Sequence, residues 1–155
     1  MYNHAPKDYD CPLCRIVKKQ ENPVTSHRDV VLKNNLATAF ISGKWTVTNP
    51  GHVIVIPNEH FENLYDIEEK YLHAVASMSK EIAIALKKTY GCDGVSTKQH
   101  NEPEGNQDVW HLHLHVFPRY KDDKFYENHH NTKWTTEDER RPYVEKLRKY
   151  FNYHE

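Results

Sequence analysis

The run Trp110-His111-Leu112-His113-Leu114-His115-Val116-Phe117-Pro118-Arg119 alternates imidazole with apolar side chains. Alternation of period two is the pattern of a half-buried strand. It predicts that His111, His113 and His115 emerge on one face while Leu112, Leu114 and Val116 enter a core. Side chains two apart on a strand stand roughly 7 Å apart. Three imidazoles at that spacing can serve one metal ion, or one phosphate with its leaving group. In a chain with 12 histidines a solvent-facing strand is the bland alternative. An apolar residue at every intervening position, closed by Pro118-Arg119, favours a built site.

Two further stretches carry polar residues that such a site could use. Pro50-Gly51 is a turn signal, and His52-Val53-Ile54-Val55-Ile56-Pro57 is a nearly continuous apolar run, as in a strand covered on both faces. This is the candidate central strand. His52 opens it and His60 follows Pro57 by three residues; a strand-end His52 facing water is the rival to one beside the triad. Upstream, Cys11-Pro12-Leu13-Cys14 leads into a short helix and presents two thiols on one turn. A redox pair, half of a zinc site and a pair of small buried residues compete there. No strand precedes Cys11, as a thioredoxin-like pair requires, so zinc is favoured if two more ligands come from elsewhere.

Together these runs resemble the histidine triad (HIT) family. The triad itself, Pro50-Gly51-His52 through His60, and the polar turn before the triad carry the resemblance, which extends from about Cys11 to Arg119. It implies an α+β fold with an antiparallel sheet of about five strands, one long helix, and short N- and C-terminal helices. It also implies a homodimer with a continuous sheet. The implied activity is nucleotidyl hydrolysis or transfer at the α-phosphate of a purine nucleotide, such as a dinucleoside polyphosphate, a phosphoramidate or an adenylate. His113 would be the nucleophile, His115 would contact phosphate and leaving group, His111 would orient the site directly or through zinc, and His52 would hydrogen-bond to the triad. Bacterial members of the family pair a Cys-x-x-Cys with a His after a strand and with the first triad His. The implied structural zinc ligands are therefore Cys11, Cys14, His60 and His111. The family's phosphate loop ends in Gly-Gln followed by a hydroxyl residue. Asn101 and Gln107 match its pattern and are the implied substrate contacts, whereas Asn106 and Asp108 depart from it. An acidic side chain beside a phosphate repels it unless neutralised.

Outside these runs the sequence sets limits. At 155 residues the chain is one domain (1–155), with a core over about 11–119 and a C-terminal extension over 120–155. Ten Tyr, three Trp and five Phe argue for a folded chain despite 28% charged residues. A formal charge of -1 lacks the basic excess of a long nucleic-acid binder. With no signal-like N-terminus and no apolar run of about 18 residues, no membrane association is expected, and the expected compartment is the cytoplasm. Three cysteines suit a metal site in a reducing compartment better than a disulfide framework.

Elsewhere, Val30 to Leu32 and Leu36 to Ile41 read as a hairpin broken at Asn34-Asn35. Trp45 to Asn49 reads as a loop. Asp66 with Glu69 reads as a capping box opening a helix whose apolar stripe runs from Ile67 through Tyr71, Val75, Met78 and Ile82 to Leu86, covering the sheet face opposite the histidines. Residues 94–100 and the triad form a second hairpin. Residues 120–134, with His129-His130, read as a polar loop. Thr136 with Glu139 opens a last helix that Pro142 interrupts unless it lies in the first turn. Two readings from other classes stand beside nucleotidyl transfer: a zinc-hydroxide hydrolase with the triad as metal ligands, and a non-catalytic nucleotide-binding sensor or scaffold.

Overall fold

The apolar run after Gly51 forms the middle of the sheet. In the computed structural model, which describes residues 2–22 and 25–154, the elements in chain order are α1 (Pro12–Val17), β1 (Val30–Lys33), β2 (Ala37–Ile41), β3 (Lys44–Thr46), β4 (Val53–Pro57), α2 (Glu69–Thr89), β5 (Gly94–Gln99), β6 (Leu114–Arg119), α3 (Phe125–Asn128), β7 (Thr132–Trp134) and α4 (Glu137–Phe151). Five strands make one antiparallel sheet in the order β1-β2-β4-β6-β5, with β4 in the centre. The β1–β2 hairpin turns on Asn34, whose Oδ1 accepts from the amides of Leu36 at 2.9 Å and Ala37 at 2.8 Å.

Period-two alternation sorts the two faces. Val53, Val55, Leu112 and Val116 join Val75, Met78, Ile82 and Leu86 of α2 in the main core. On the other face Phe40 and Ile56 join Leu13, Ile16 and Val30 in a second cluster under α1. The histidines share this second face, opposite α2, as the pattern predicts.

Four local readings are corrected. Trp45 to Asn49 and 120–134 are not simply loops: β3 and β7 pair as a separate two-stranded sheet, with Trp45 opposite Lys133. Three-residue strands are too short to leave a periodic trace in sequence. The Asp66 capping box does not form, and α2 starts after Glu68 without a side-chain cap. Residues 64–66 are turned instead by Asn63, whose Oδ1 accepts from the Tyr65 amide, and by Asn101, which takes the Leu64 amide. The C-terminal helix is not short. Its Thr136–Glu139 capping box is present, and it runs 15 residues through the exposed Pro142. Val144 and Leu147 of α4 lie in the main core, and the buried Arg140 guanidinium grips Asp29 with Nε–Oδ1 of 2.8 Å and Nη2–Oδ2 of 3.1 Å. Finally, regular strand begins only at Leu114. At His111 the chain bends, and the Leu112 amide bonds the Phe61 carbonyl at 2.6 Å.

Gly51 makes the turn into β4 at φ +73°, and a Cβ there would clash with the Tyr143 ring of α4. Both its conformation and its closeness to α4 demand glycine. No helix among the described residues is long and apolar enough to cross a membrane.

Candidate active site and metal centre

Strand register places one row of side chains across the second face: Phe40 on β2 opposite Ile54 on β4, Ile54 opposite His115 on β6, and His115 opposite Lys98 on β5. Above this row lies a cavity of about 630 Å³. Leu13, Phe40, Ile54 and Val109 contribute apolar lining, His52, His100, His113 and His115 imidazoles, and Lys98 a cation.

The imidazoles have defined partners. His113 Nδ1 lies 2.7 Å from the His111 carbonyl oxygen. A carbonyl only accepts, so Nδ1 carries the proton and Nε2 keeps a lone pair. The His115 ring stands 5.0 Å from that of His113, centroid to centroid. His115 Nδ1 is 3.3 Å from His52 Nε2, and His52 stacks on Phe117 at 4.3 Å. His52 Nδ1 is buried without a partner among the described residues. A buried orphan acceptor is tolerated better than an orphan N–H, which assigns the shared proton to His52 Nε2 and leaves His115 with Nε2–H. Burial pushes His52 down to about 3 and His113 below its ordinary value. Burial, with the charges of His113, His52, His100 and Lys98 adding to it, also pushes His115 well down. His52, His113 and His115 are therefore neutral at pH 7.

The first triad residue departs from the shared wall. Because the chain bends before Leu114, the His111 ring leaves the cavity and meets the Cys-x-x-Cys. Its Nδ1 is 3.3 Å from Cys11 Sγ and 3.5 Å from Cys14 Sγ, while His60 Nδ1 is 3.3 Å from Cys14 Sγ. These four ligand atoms lie within 4.8 Å of one another, the one group among the described residues with metal spacing. Tetrahedral bonds of zinc length to sulfur and nitrogen imply edges of about 3.3–3.8 Å, which these three sulfur–nitrogen separations match. The other nitrogen of His111 donates to the Pro57 carbonyl at 3.1 Å, the outer contact that orients a ligating imidazole. The hydrogen bond shared by Cys11 and Cys14 holds the Cys11 thiol well below its ordinary value and, with burial, the Cys14 thiol well above its own. The two cysteines sit together because Cys11 caps α1, its Sγ accepting from the Cys14 amide.

Asn101 and Gln107 are not brought to the cavity. Asn101 Oδ1 accepts from Leu64 and Gln99, and its Nδ2 donates to Gln99. Gln107 Nε2 donates to the Glu62 and Val109 carbonyls, and its Oε1 takes the Glu102 amide. Both side chains are spent on holding the loop. Asn106 and Asp108 line the cavity instead, with Asp108 Oδ1 3.7 Å from His113 Nε2. Lys98 and His100 also line it, and neither stands out in the sequence. Alternation along Ser96, Lys98 and His100, laid against the triad as a hairpin, is the signal that points to them.

An antiparallel sheet backed by one long helix, with imidazoles set between an apolar wall and a cation, defines a small α+β protein. The chain belongs to the HIT domain family, whose model matches residues 24–122. An uncharacterized HIT-like protein of Borreliella burgdorferi is 35% identical over 124 residues, covering 76% of this chain and 81% of that protein. The adenosine 5'-monophosphoramidase of Saccharomyces cerevisiae is 29% identical over 120 residues, covering 77% and 68%. Among solved structures, a Hit-like protein of Bartonella henselae superposes with a TM-score of 0.76 at 26% identity, covering 90% of this chain and 95% of that one. The fold is also that of a zinc-bound histidine triad protein of Mycobacterium smegmatis, with a TM-score of 0.73, 22% identity and coverage of 92% and 96%. A diadenosine triphosphate hydrolase of Plasmodium falciparum has a TM-score of 0.71, 13% identity and coverage of 98% and 89%.

Proposed function

We propose that this protein is a nucleotide hydrolase that cleaves at the α-phosphate of a purine nucleotide through a nucleotidyl-histidine intermediate. The observation that carries the reading is the hydrogen bond from His113 Nδ1 to the His111 carbonyl, which leaves Nε2 unprotonated in the cavity beside His115. In the first step the Nε2 lone pair attacks the α-phosphorus, an N–P bond forms, and the bond to the leaving group's bridging atom breaks with its electron pair on that atom. His115 Nε2–H donates to a phosphate oxygen or to the leaving atom as charge develops. In the second step water attacks phosphorus as its proton passes to His115 Nε2, or to solvent where His115 kept its own, the N–P bond breaks, and the lone pair returns to His113 Nε2 with release of the nucleoside monophosphate. His52 holds His115 in the donating tautomer, and the apolar end of the cavity takes the purine. Asn101 and Gln107 act by shaping the loop rather than by touching phosphate with their side chains.

Cys11, Cys14, His60 and His111 would hold zinc as a closed structural site, which ties α1 to the chain entering β6 and fixes His111, hence the carbonyl that orients His113. Cys2His2 ligation has no open position for water, and His113 and His115 stand outside the donor group, which favours a histidine nucleophile over a zinc-bound hydroxide. Thiolate ligands suit a reducing compartment such as the cytoplasm.

Replacement of His113 by Ala should lower turnover of adenosine phosphoramidate and diadenosine triphosphate at least about 10³-fold while AMP still binds. Acid quenching of the wild type should trap a nucleotidylated protein that the variant lacks. Turnover near normal in the variant would sink the nucleophile, and AMP binding without turnover by the wild type would turn the reading to a sensor.

A further inference from the structure

The row across the sheet reads apolar, apolar, imidazole, ammonium, from Phe40 to Lys98. Strands are about 4.8 Å apart, so Lys98 stems from a point one strand beyond His115, on the side away from Phe40. With a nucleotide's base at the apolar end and its α-phosphate at His113 and His115, β5 is the next strand along the row. Lys98 there has no hydrogen bond and no carboxylate partner among the described residues. Its ammonium instead lies 4.4 Å from the Phe125 ring centroid, 5.4 Å from Tyr126 and 5.8 Å from Phe117. Aromatic faces hold a cation in place without cancelling its charge. Arg119, which shares the Phe125 and Tyr126 rings, has its charge neutralised by a two-pronged pair with Asp123, at 2.8 Å for both contacts. The protein thus keeps one of these two cations paired and leaves the other open to the cavity. Lys44, the other lysine of the lining, is exposed and rests over Trp134.

We propose that Lys98 binds the phosphate of an anionic leaving group, so that the preferred substrate is a nucleotide whose α-phosphate is joined to further phosphate rather than to an amine. This rests on the nucleotidyl-transfer reading above. When the bridging P–O bond breaks, the electron pair stays on the departing phosphate oxygen, and a fixed ammonium stabilises that charge without a proton. An amine leaving group departs neutral after taking a proton and gains little from a cation. Lys98 also offsets the one carboxylate of the lining, Asp108, which would otherwise repel a polyphosphate.

The test compares kcat/KM for diadenosine triphosphate and for adenosine 5'-phosphoramidate in the wild type, Lys98→Met and Lys98→Arg. Lys98→Met should lower the ratio of the two at least about 10-fold, and Lys98→Arg should hold it within about 3-fold of wild type, since a guanidinium also binds phosphate. Equal losses on both substrates, or none, would overturn the proposal. Calorimetry in a His113→Ala background separates it from the covalent reading. There Lys98→Met should weaken diadenosine triphosphate at least about 10-fold more than AMP, whether or not the wild type turns over, and an equal weakening of both would overturn it. Should His113→Ala keep its turnover while the binding difference persists, the nucleophile assignment fails and the Lys98 subsite stands.

Discussion

His52 shows how one buried side chain ties the site to stability. Its imidazole is enclosed between Phe117 and His115, and burial sets its pKa at about 3 in the folded chain against 6.5 ordinarily. Because the folded value lies below the unfolded one, the unfolded chain takes up the proton first on acidification. The cost is absent above pH 6.5 and grows as pH falls from there toward 3, at about 1.4 kcal/mol per pH unit. From pH 7 to pH 5 the wild type should lose about 2 kcal/mol more than His52→Gln, which keeps a polar partner for His115 but does not titrate. Urea unfolding at the two pH values measures this. An equal loss in both proteins would mean that His52 is protonated, or free to move, in the native state.

At the level of elements, α1 has six residues, too few for a helix to persist on its own propensity. Leu13 and Ile16 seat it against Val30, Phe40 and Ile56, and its first turn enters the cluster with His60 and His111. With zinc in the proposed site, the position of α1 would depend on the metal as well as on apolar burial. Cys14→Ser should take zinc from about one per chain to near none and lower Tm by roughly 5–10 °C, with residual hydrolysis in the folded fraction. Full zinc content in that variant, or an unchanged Tm, would remove the closed site. The effect on rate is indirect, because the cluster fixes His111 and only through its carbonyl the tautomer of His113. The short elements β3, α3 and β7 contribute in another way, by supplying Lys44, Phe125, Tyr126 and Trp134, which wall the cavity beyond the triad.

For the whole molecule, β5 is an edge of the five-stranded sheet, and its outer backbone groups find no strand partner among the described residues. An open six-residue edge is a template for pairing, and a second copy laid antiparallel along it would continue the sheet, as the family resemblance implies. Sedimentation at micromolar concentration should show a species of twice the 18.4 kDa chain mass. A single 18.4 kDa species would sink the continuous-sheet dimer. The same edge carries Lys98 on its cavity face, so pairing along β5 would stiffen the strand that holds the leaving group without covering the site.

By itself the sequence determined the two hairpins, the long helix and the sheet face on which His113 and His115 emerge, because periods of two and near four report directly which side chains share a side of one element. It also determined the Cys11-x-x-Cys14 turn, since one helical cap presents both sulfurs. Between the wall that alternation gives His111 and the cysteines that the family resemblance implies for it, the tertiary structure decided, and only that structure decided that Asn101 and Gln107 spend their amides on the loop and that β3 finds β7. It alone put Lys98 opposite His115. Each of these depends on a partner far along the chain: the Phe61 carbonyl that bends the entry to β6, the Glu62 carbonyl that claims Gln107, the register that joins β5 to β6. Local pattern fixes what a residue faces within its own element. The partner across the gap is set by how the elements close on one another, and a period carries no information about that closure.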